Sequence, residues 1–219
     1  NTIRLFNDLE ADEIVIIDID ATKKNEKINI DFIQGIVSEA FMPITYGGGI
    51  KTLQNAKDIL SCGVEKILVN NLFLNKPQIV LEMSNELGRQ SIVVSLDVIY
   101  NQSKDLYLYD YLNKKITPKT ITSSVIDAMN YGAGEILISS VNKEGTLSGL
   151  DIKILEHINC EVKVPLIISG GANSISDLQK ANHAGASGVA AGSMFVYHGS
   201  HNSILINYPS QIELNEILV

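Results

Sequence analysis

Cysteine is scarce in this chain of 219 residues: Cys62 and Cys160 are its whole complement. Two thiols so far apart in sequence support neither a disulfide framework nor a zinc site. Both read as buried or incidental thiols of a reducing compartment. Positive charge is also short, with 17 Lys and Arg against 25 Asp and Glu and a net charge of −8. That balance argues against nucleic acid or an anionic membrane as the main partner, since both reward clustered cations. It leaves room for a local basic spot facing a small phosphorylated ligand. Membrane-length apolar runs are missing, and the N-terminus has no basic-then-apolar leader pattern. A cytoplasmic protein with no membrane partner is expected. No spacing of His, Cys and carboxylates suits a metal, and no cofactor is expected.

What is present is a rhythm. Seven short apolar runs recur at 13–20, 43–47, 66–71, 91–98, 135–140, 165–170 and 188–193. They are rich in Val and Ile and bounded by Gly, Pro or charge, as strands buried on both faces are. Helix-like segments such as TLQNAKDILSCG and SISDLQKANHAG lie between them, each stopping on glycine. Residues 2–9 also read as an amphipathic helix. One interval breaks the rhythm: DLYLYDYLNKK alternates Leu and Tyr, predicting a hairpin before a helix at about 118–131. It is read either as an exposed decoration or as a cover over the site. The remaining alternation predicts an α/β fold with a parallel sheet.

The chain also resembles itself. A shift of 122 residues carries Pro43 onto Pro165, Gly48 and Gly49 onto Gly170 and Gly171, Gly63 onto Gly185 and Phe73 onto Phe195. It also carries Glu13 onto Glu135 and Asp18 onto Ser140. A constant offset over strand-associated positions points to duplication. The run at 91–98 has no counterpart 122 residues earlier, which predicts an eighth strand absent from this chain. The expected fold is a (β/α)8 TIM barrel with a two-fold internal repeat, its first strand and first loop missing. It would form one incomplete domain, 1–219, with half-barrels at about 1–88 and 89–205.

In such barrels, site residues sit where strands end. Gly48–Gly49 and Gly170–Gly171 each follow a strand and precede a helix, so their amides can face an anion. The next strand in each half ends in Asn70–Asn71 or Gly192–Ser193. Two matched turns, each backed by the next strand's end, suggest a ligand with a phosphate at each end. Asp97 lies near the end of SIVVSLDV on one face with Ser95. An acid on a buried strand costs desolvation unless used or paired, and the raised pKa suits general acid–base work. Asp18 and Asp20 are expected to alternate with Ile17 and Ile19 along a strand, Asp20 being read equally as a cap. Ser139, Ser140, Glu144 and Gly145 supply hydrogen bonds to the same rim. Ser139 is not read as a nucleophile, because none of the four histidines falls near a strand's C-terminal end. Glu13, Lys66 and Glu135 start three strands at the opposite end. They are read either as solvated strand starts or as a salt-bridged ring.

DEIVIIDIDAT, YGGGI, VEKILVNN, IVVSLD, GAGEILISSVNKEGTLSGLD, IISGGA and GVAAGSMF together resemble the HisF family, the cyclase subunit of imidazole glycerol phosphate synthase. The resemblance runs over nearly the whole chain. It implies a two-fold-repeated barrel that takes ammonia from a glutaminase partner, HisH, for reaction with a phosphorylated ribulosyl aminoimidazole carboxamide ribotide. It implies that Asp97 is a catalytic aspartate, the second belonging to the missing strand. Gly48, Gly49, Asn70 and Asn71 would form one phosphate site, and Gly170, Gly171, Gly192 and Ser193 the other. Asp18, Ser139 and Glu144 would be substrate-contacting rim positions beside Gly145 of the same loop, and Glu13, Lys66 and Glu135 three of four residues gating ammonia. DIDAT stands where histidine-pathway members have DITAS, and NKEGT where they have DRDGT. The ending YHGSHNSILINYPS resembles WbuZ-type paralogues of surface-polysaccharide clusters, which implies an alternative role in sugar amidination. A non-catalytic scaffold that activates the glutaminase is a third reading.

Overall fold

Runs of β-branched residues closed by glycine or a polar cap set the elements of this computed structural model, which describes residues 2–158, 160–198 and 203–217. In chain order they are α1 (Thr2–Asp8), β1 (Ile14–Ile17), α2 (Ile19–Lys23), α3 (Ile30–Val37), β2 (Ile44–Gly47), α4 (Leu53–Ser61), β3 (Lys66–Val69), α5 (Asn71–Asn75), α6 (Pro77–Leu87) and β4 (Ile92–Tyr100). Then come β5 (Leu106–Asp110), β6 (Lys115–Thr120), α7 (Ile121–Asn130), β7 (Glu135–Ser140), α8 (Lys153–Glu156), β8 (Leu166–Ser169) and α9 (Ile175–His183). The chain continues through β9 (Gly188–Ala190), α10 (Ser193–Val196), β10 (Tyr197–His198), β11 (Ser203–Ile204) and α11 (Gln211–Ile217). Of the four histidines, His201 lies outside the described residues. Strand–helix alternation with parallel pairing places the chain in the (β/α)8 barrel class.

Two compact units divide the contacts: residues 1–95 with 128–135, and residues 96–127 with 136–219. In the first unit β1, β2 and β3 pair in parallel, and β3 pairs with the start of β4. All four residues of β2 are buried, as a strand covered on both faces requires. Ile33, Ile59, Ile67, Val80, Met83 and Ile92 fill this unit's interior. Each such side chain contributes about 1.5–3 kcal/mol by leaving water. In the second unit β7, β8 and β9 pair in parallel, over a core that includes Ile136, Ile138, Ile154 and Ile168.

The 122-residue repeat extends to the register. Ile14↔Ile44 through Ile17↔Gly47 becomes Ile136↔Leu166 through Ser139↔Ser169. Thr45↔Lys66 through Gly47↔Leu68 becomes Ile167↔Gly188 through Ser169↔Ala190. The helices follow. α4 starts after Thr52, whose hydroxyl accepts from Asn55 N, and α9 starts after Ser174 in a capping box with Asp177. The stops, Gly63 and Gly185, have φ of 95° and 93°, left-handed values that glycine adopts without a Cβ penalty.

Three details depart from the sequence expectation. The run at 13–20 is not one strand: β1 ends at Ile17, and the Asp18 carboxylate accepts from the amides of Asp20 (3.1 Å) and Ala21 (2.9 Å). A short acid that satisfies two orphan amides starts a helix. Asp18 and Asp20 therefore do not alternate along a strand; Asp20 lies in the first turn of α2 and pairs with exposed Lys24 at 2.8 Å. The hairpin forms, but β6 runs on to Thr120, whose hydroxyl accepts from Ser123 N (3.3 Å), so the helix begins at 121 rather than 118. Finally, β4 continues beyond Asp97 to Tyr100, because β5 adds antiparallel to it from Val98↔Leu108 to Tyr100↔Leu106. Asp97 is thus within a strand that turns from parallel to antiparallel pairing. Buried Asp110 accepts from Asn113 N (3.0 Å) and Nδ2 (2.7 Å) and so fixes the hairpin turn.

Candidate functional site

In the first unit, polar groups gather at both ends of the strands. Gly48 (φ 109°) and Gly49 (φ 71°) follow β2. A Cβ on Gly48 would fall 2.3 Å from the Asp18 carbonyl oxygen, so the turn passes the end of β1 with no room for a side chain. Gly49 N donates to Thr22 Oγ1 at 3.0 Å, so that amide already has a hydroxyl as its acceptor. Asn70 and Asn71 lie at the end of β3 and the start of α5. Tyr46, buried in β2, has its phenol pushed up to about 12 by burial and then by the Asp18 charge, which keeps it neutral.

At the opposite ends, Glu13, Lys66 and Glu135 meet. Lys66 Nζ lies 2.7 Å from Glu13 Oε2 and 3.0 Å from Glu135 Oε2, and its side chain is only 15% exposed. Thr45 Oγ1 adds a 2.5 Å hydrogen bond to the other Glu13 oxygen. Burial alone would lower the lysine's pKa; the hydrogen bonds and charges of the two carboxylates outweigh it and raise the net value. The three side chains are ion-paired rather than separately solvated. Their order is carboxylate, ammonium, carboxylate, with a threonine fixing one acid.

The second unit carries the other half of the candidates. Asp97 is half-buried on β4. Ser139 on β7 and Ser169 on β8 are register partners, and their hydroxyls lie 2.5 Å apart. Gly170 (φ 97°) and Gly171 (φ 92°) follow β8. A Cβ on Gly170 would come 2.8 Å from the Ser140 carbonyl oxygen, the counterpart of the Gly48–Asp18 approach. Gly192 precedes α10 with φ −103° and ψ −68°, close to the −117° and −76° of Asn70, its counterpart before α5. Ser193 opens α10. Glu144 and Gly145 stand on an exposed turn, and a Cβ on Gly145 would meet nothing.

Thr22, Thr45, Ser169 and Lys143 escaped the sequence reading. Thr45 carried a signal as the polar residue of a wholly buried strand. Cys62 and Cys160 are free and half-buried, with burial pushing both thiols up. Among the described residues no cluster of three His, Cys, Asp or Glu could hold a metal ion, and no helix is long and apolar enough to cross a membrane.

Paired βα units with duplicated glycine turns at the strand ends place the chain in the (β/α)8 class, whose enzymes carry their sites where strands end. The chain belongs to the histidine biosynthesis protein family, whose model matches residues 1–202. It is 39% identical over 214 residues to a Leptospira borgpetersenii chain provisionally named imidazole glycerol phosphate synthase subunit HisF, covering 96% of this chain and 84% of that protein. A Leptospira interrogans chain with the same provisional name is 38% identical over 216 residues, with the same coverage. The imidazole glycerol phosphate synthase subunit HisF of Dictyoglomus turgidum is 37% identical over 185 residues, 84% of this chain and 73% of that protein.

Proposed function

We propose that the chain is a HisF-type cyclase subunit, joining ammonia from a glutaminase partner to a phosphorylated ribulosyl aminoimidazole carboxamide ribotide. The observation that carries this is the pair of glycine turns, Gly48–Gly49 and Gly170–Gly171, equivalent in register, backbone and close approach to the preceding strand. With Asn70–Asn71 and Gly192–Ser193, each unit offers one phosphate-holding turn. Asp97 serves as general acid–base, with Asp18, Ser139, Glu144 and Gly145 contacting substrate. The Glu13–Lys66–Glu135 cluster controls ammonia access on the face that meets the glutaminase, and the setting is cytoplasmic.

The test is turnover of the ribulosyl substrate with ammonium salt, without a partner. The imidazole product should form, and Asp97→Asn should lower kcat by about 100-fold or more, the usual worth of a positioned proton-transfer group. Failure to turn over would remove the cyclase assignment. The WbuZ-type reading, motivated by DIDAT at 18–22 and NYPS at 207–210, predicts instead loss of an amidino sugar on deletion of the gene.

A further inference from the structure

The duplicated turns match in backbone but not in charge. A Cβ on Gly49 would lie 3.0 Å from the Cβ of Ala21; a Cβ on Gly171 would lie 3.0 Å from the Cβ of Lys143. Ala21 and Lys143 are 122 residues apart, so the same position over the same turn holds a methyl group in one unit and a lysine in the other. The Lys143 stem runs along Gly171, its Cδ 3.3 Å from that same point, and its ammonium donates to the Gly149 carbonyl at 3.0 Å. Gly149 N in turn donates to Gly171 O at 2.8 Å, tying this carbonyl's residue to the turn. A neutral carbonyl occupies one of the ammonium's three donors and leaves its charge uncancelled.

The surrounding charges sharpen the contrast. Asp177, whose Oδ1 would lie 3.4 Å from a Cβ on Gly149, shares that oxygen with the Lys180 ammonium at 3.7 Å, while its other oxygen accepts from Asn173 N, Ser174 N and the Ser174 hydroxyl. Glu144 is exposed. In the first unit the nearby cation is Lys51, exposed and turned to Asn25, on a hollow it shares with Lys27, Glu26 and Asp58. Two cations there face two carboxylates, and the Gly49 amide is already taken by Thr22.

We propose that Lys143 is the cation of the Gly170–Gly171 phosphate turn, making it the tighter and more salt-sensitive of the two anion sites. The inference rests on the phosphate reading above and adds a ranking to it: one end of the substrate is held by a charge-assisted contact, the other by a turn whose neighbouring cations are offset by as many carboxylates. Charge-assisted hydrogen bonds are about twice as strong as neutral ones, so the two ends contribute unequally to binding.

The experiment is a titration of the full chain, labelled with 15N-glycine, with inorganic phosphate. The Gly171 amide should shift at a lower phosphate concentration than Gly49. Lys143→Met should raise the Gly171 midpoint by roughly tenfold, corresponding to one charged contact, and leave Gly49 unmoved. Lys143→Arg, which keeps the charge, should stay near wild type. Equal midpoints in wild type, or a Gly171 midpoint indifferent to Lys143→Met, would overturn the ranking while leaving the phosphate reading intact. If neither turn responds to phosphate, both fall together. The glycine spectrum itself reports whether each variant is folded.

Discussion

An ammonium held at 2.7 and 3.0 Å from two carboxylates cannot be deleted without setting those acids against each other. Lys66→Met keeps the stem and removes the charge, so Glu13 and Glu135 then repel across a largely buried space. A fully buried pair costs about 3–5 kcal/mol to break by removing one partner. The 15–29% exposure of these side chains brings the expected loss down to about 2 kcal/mol, read from urea unfolding. The pH dependence has a definite sign. Lys66 binds its proton more tightly folded than unfolded, so its stabilisation is complete below about pH 10.4, the unfolded value. It is lost as pH rises through the higher folded value. The gap between wild type and Lys66→Met should therefore narrow above that pH; a gap constant to pH 11 would mean that packing, not charge, is the source. The three charged members were legible as strand-start residues. Their assembly stayed open between solvated strand starts and a salt-bridged group, and Thr45 was not legible, because only the register Thr45↔Lys66 brings those side chains to one acid.

At the scale of the element, Asp18 has two possible duties that one substitution pair separates. Its carboxylate caps α2, and Asp18→Ala should cost about 1 kcal/mol through the lost cap. Asp18→Asn keeps an oxygen for the same amides and should restore most of that stability. If Asp18→Asn is stable yet raises KM, the charge serves substrate; if it matches wild type in KM, the residue is a cap alone. The sequence hid this duty because an acid between isoleucines has strand periodicity whichever way the chain turns next. Helices α4 and α9 teach the converse. They occupy equivalent positions with no residue in common: LQNAKDILS against ISDLQKANH. Their buried pairs are Ala56 and Ile59 in one, Leu178 and Ala181 in the other, small and large exchanged. What made both readable was the cap before and the glycine after, together with the strand that follows.

Across the whole chain, the repeat makes a quantitative claim about its two matched glycine turns. Gly48→Ala would drive a methyl to 2.3 Å from a carbonyl oxygen, and Gly170→Ala to 2.8 Å, both at left-handed φ. Each should cost about 1–3 kcal/mol in strain, with a further steric loss that is larger at Gly48. The denaturant midpoint should fall for both and further for Gly48→Ala; a reversed order would mean that the turns relax differently despite their common backbone. The fold class was legible because strands, stops and offset agreed with one another. The charge difference between the turns was not, since Ala21 and Lys143 are ordinary residues until the backbone brings each against its glycine.

The in-register duplication also makes the molecule its own reference. Two turns of one backbone, one neutral and one cationic, share a tube, a temperature and a salt concentration. A change of solvent moves both, and whatever separates their responses belongs to the side chains alone.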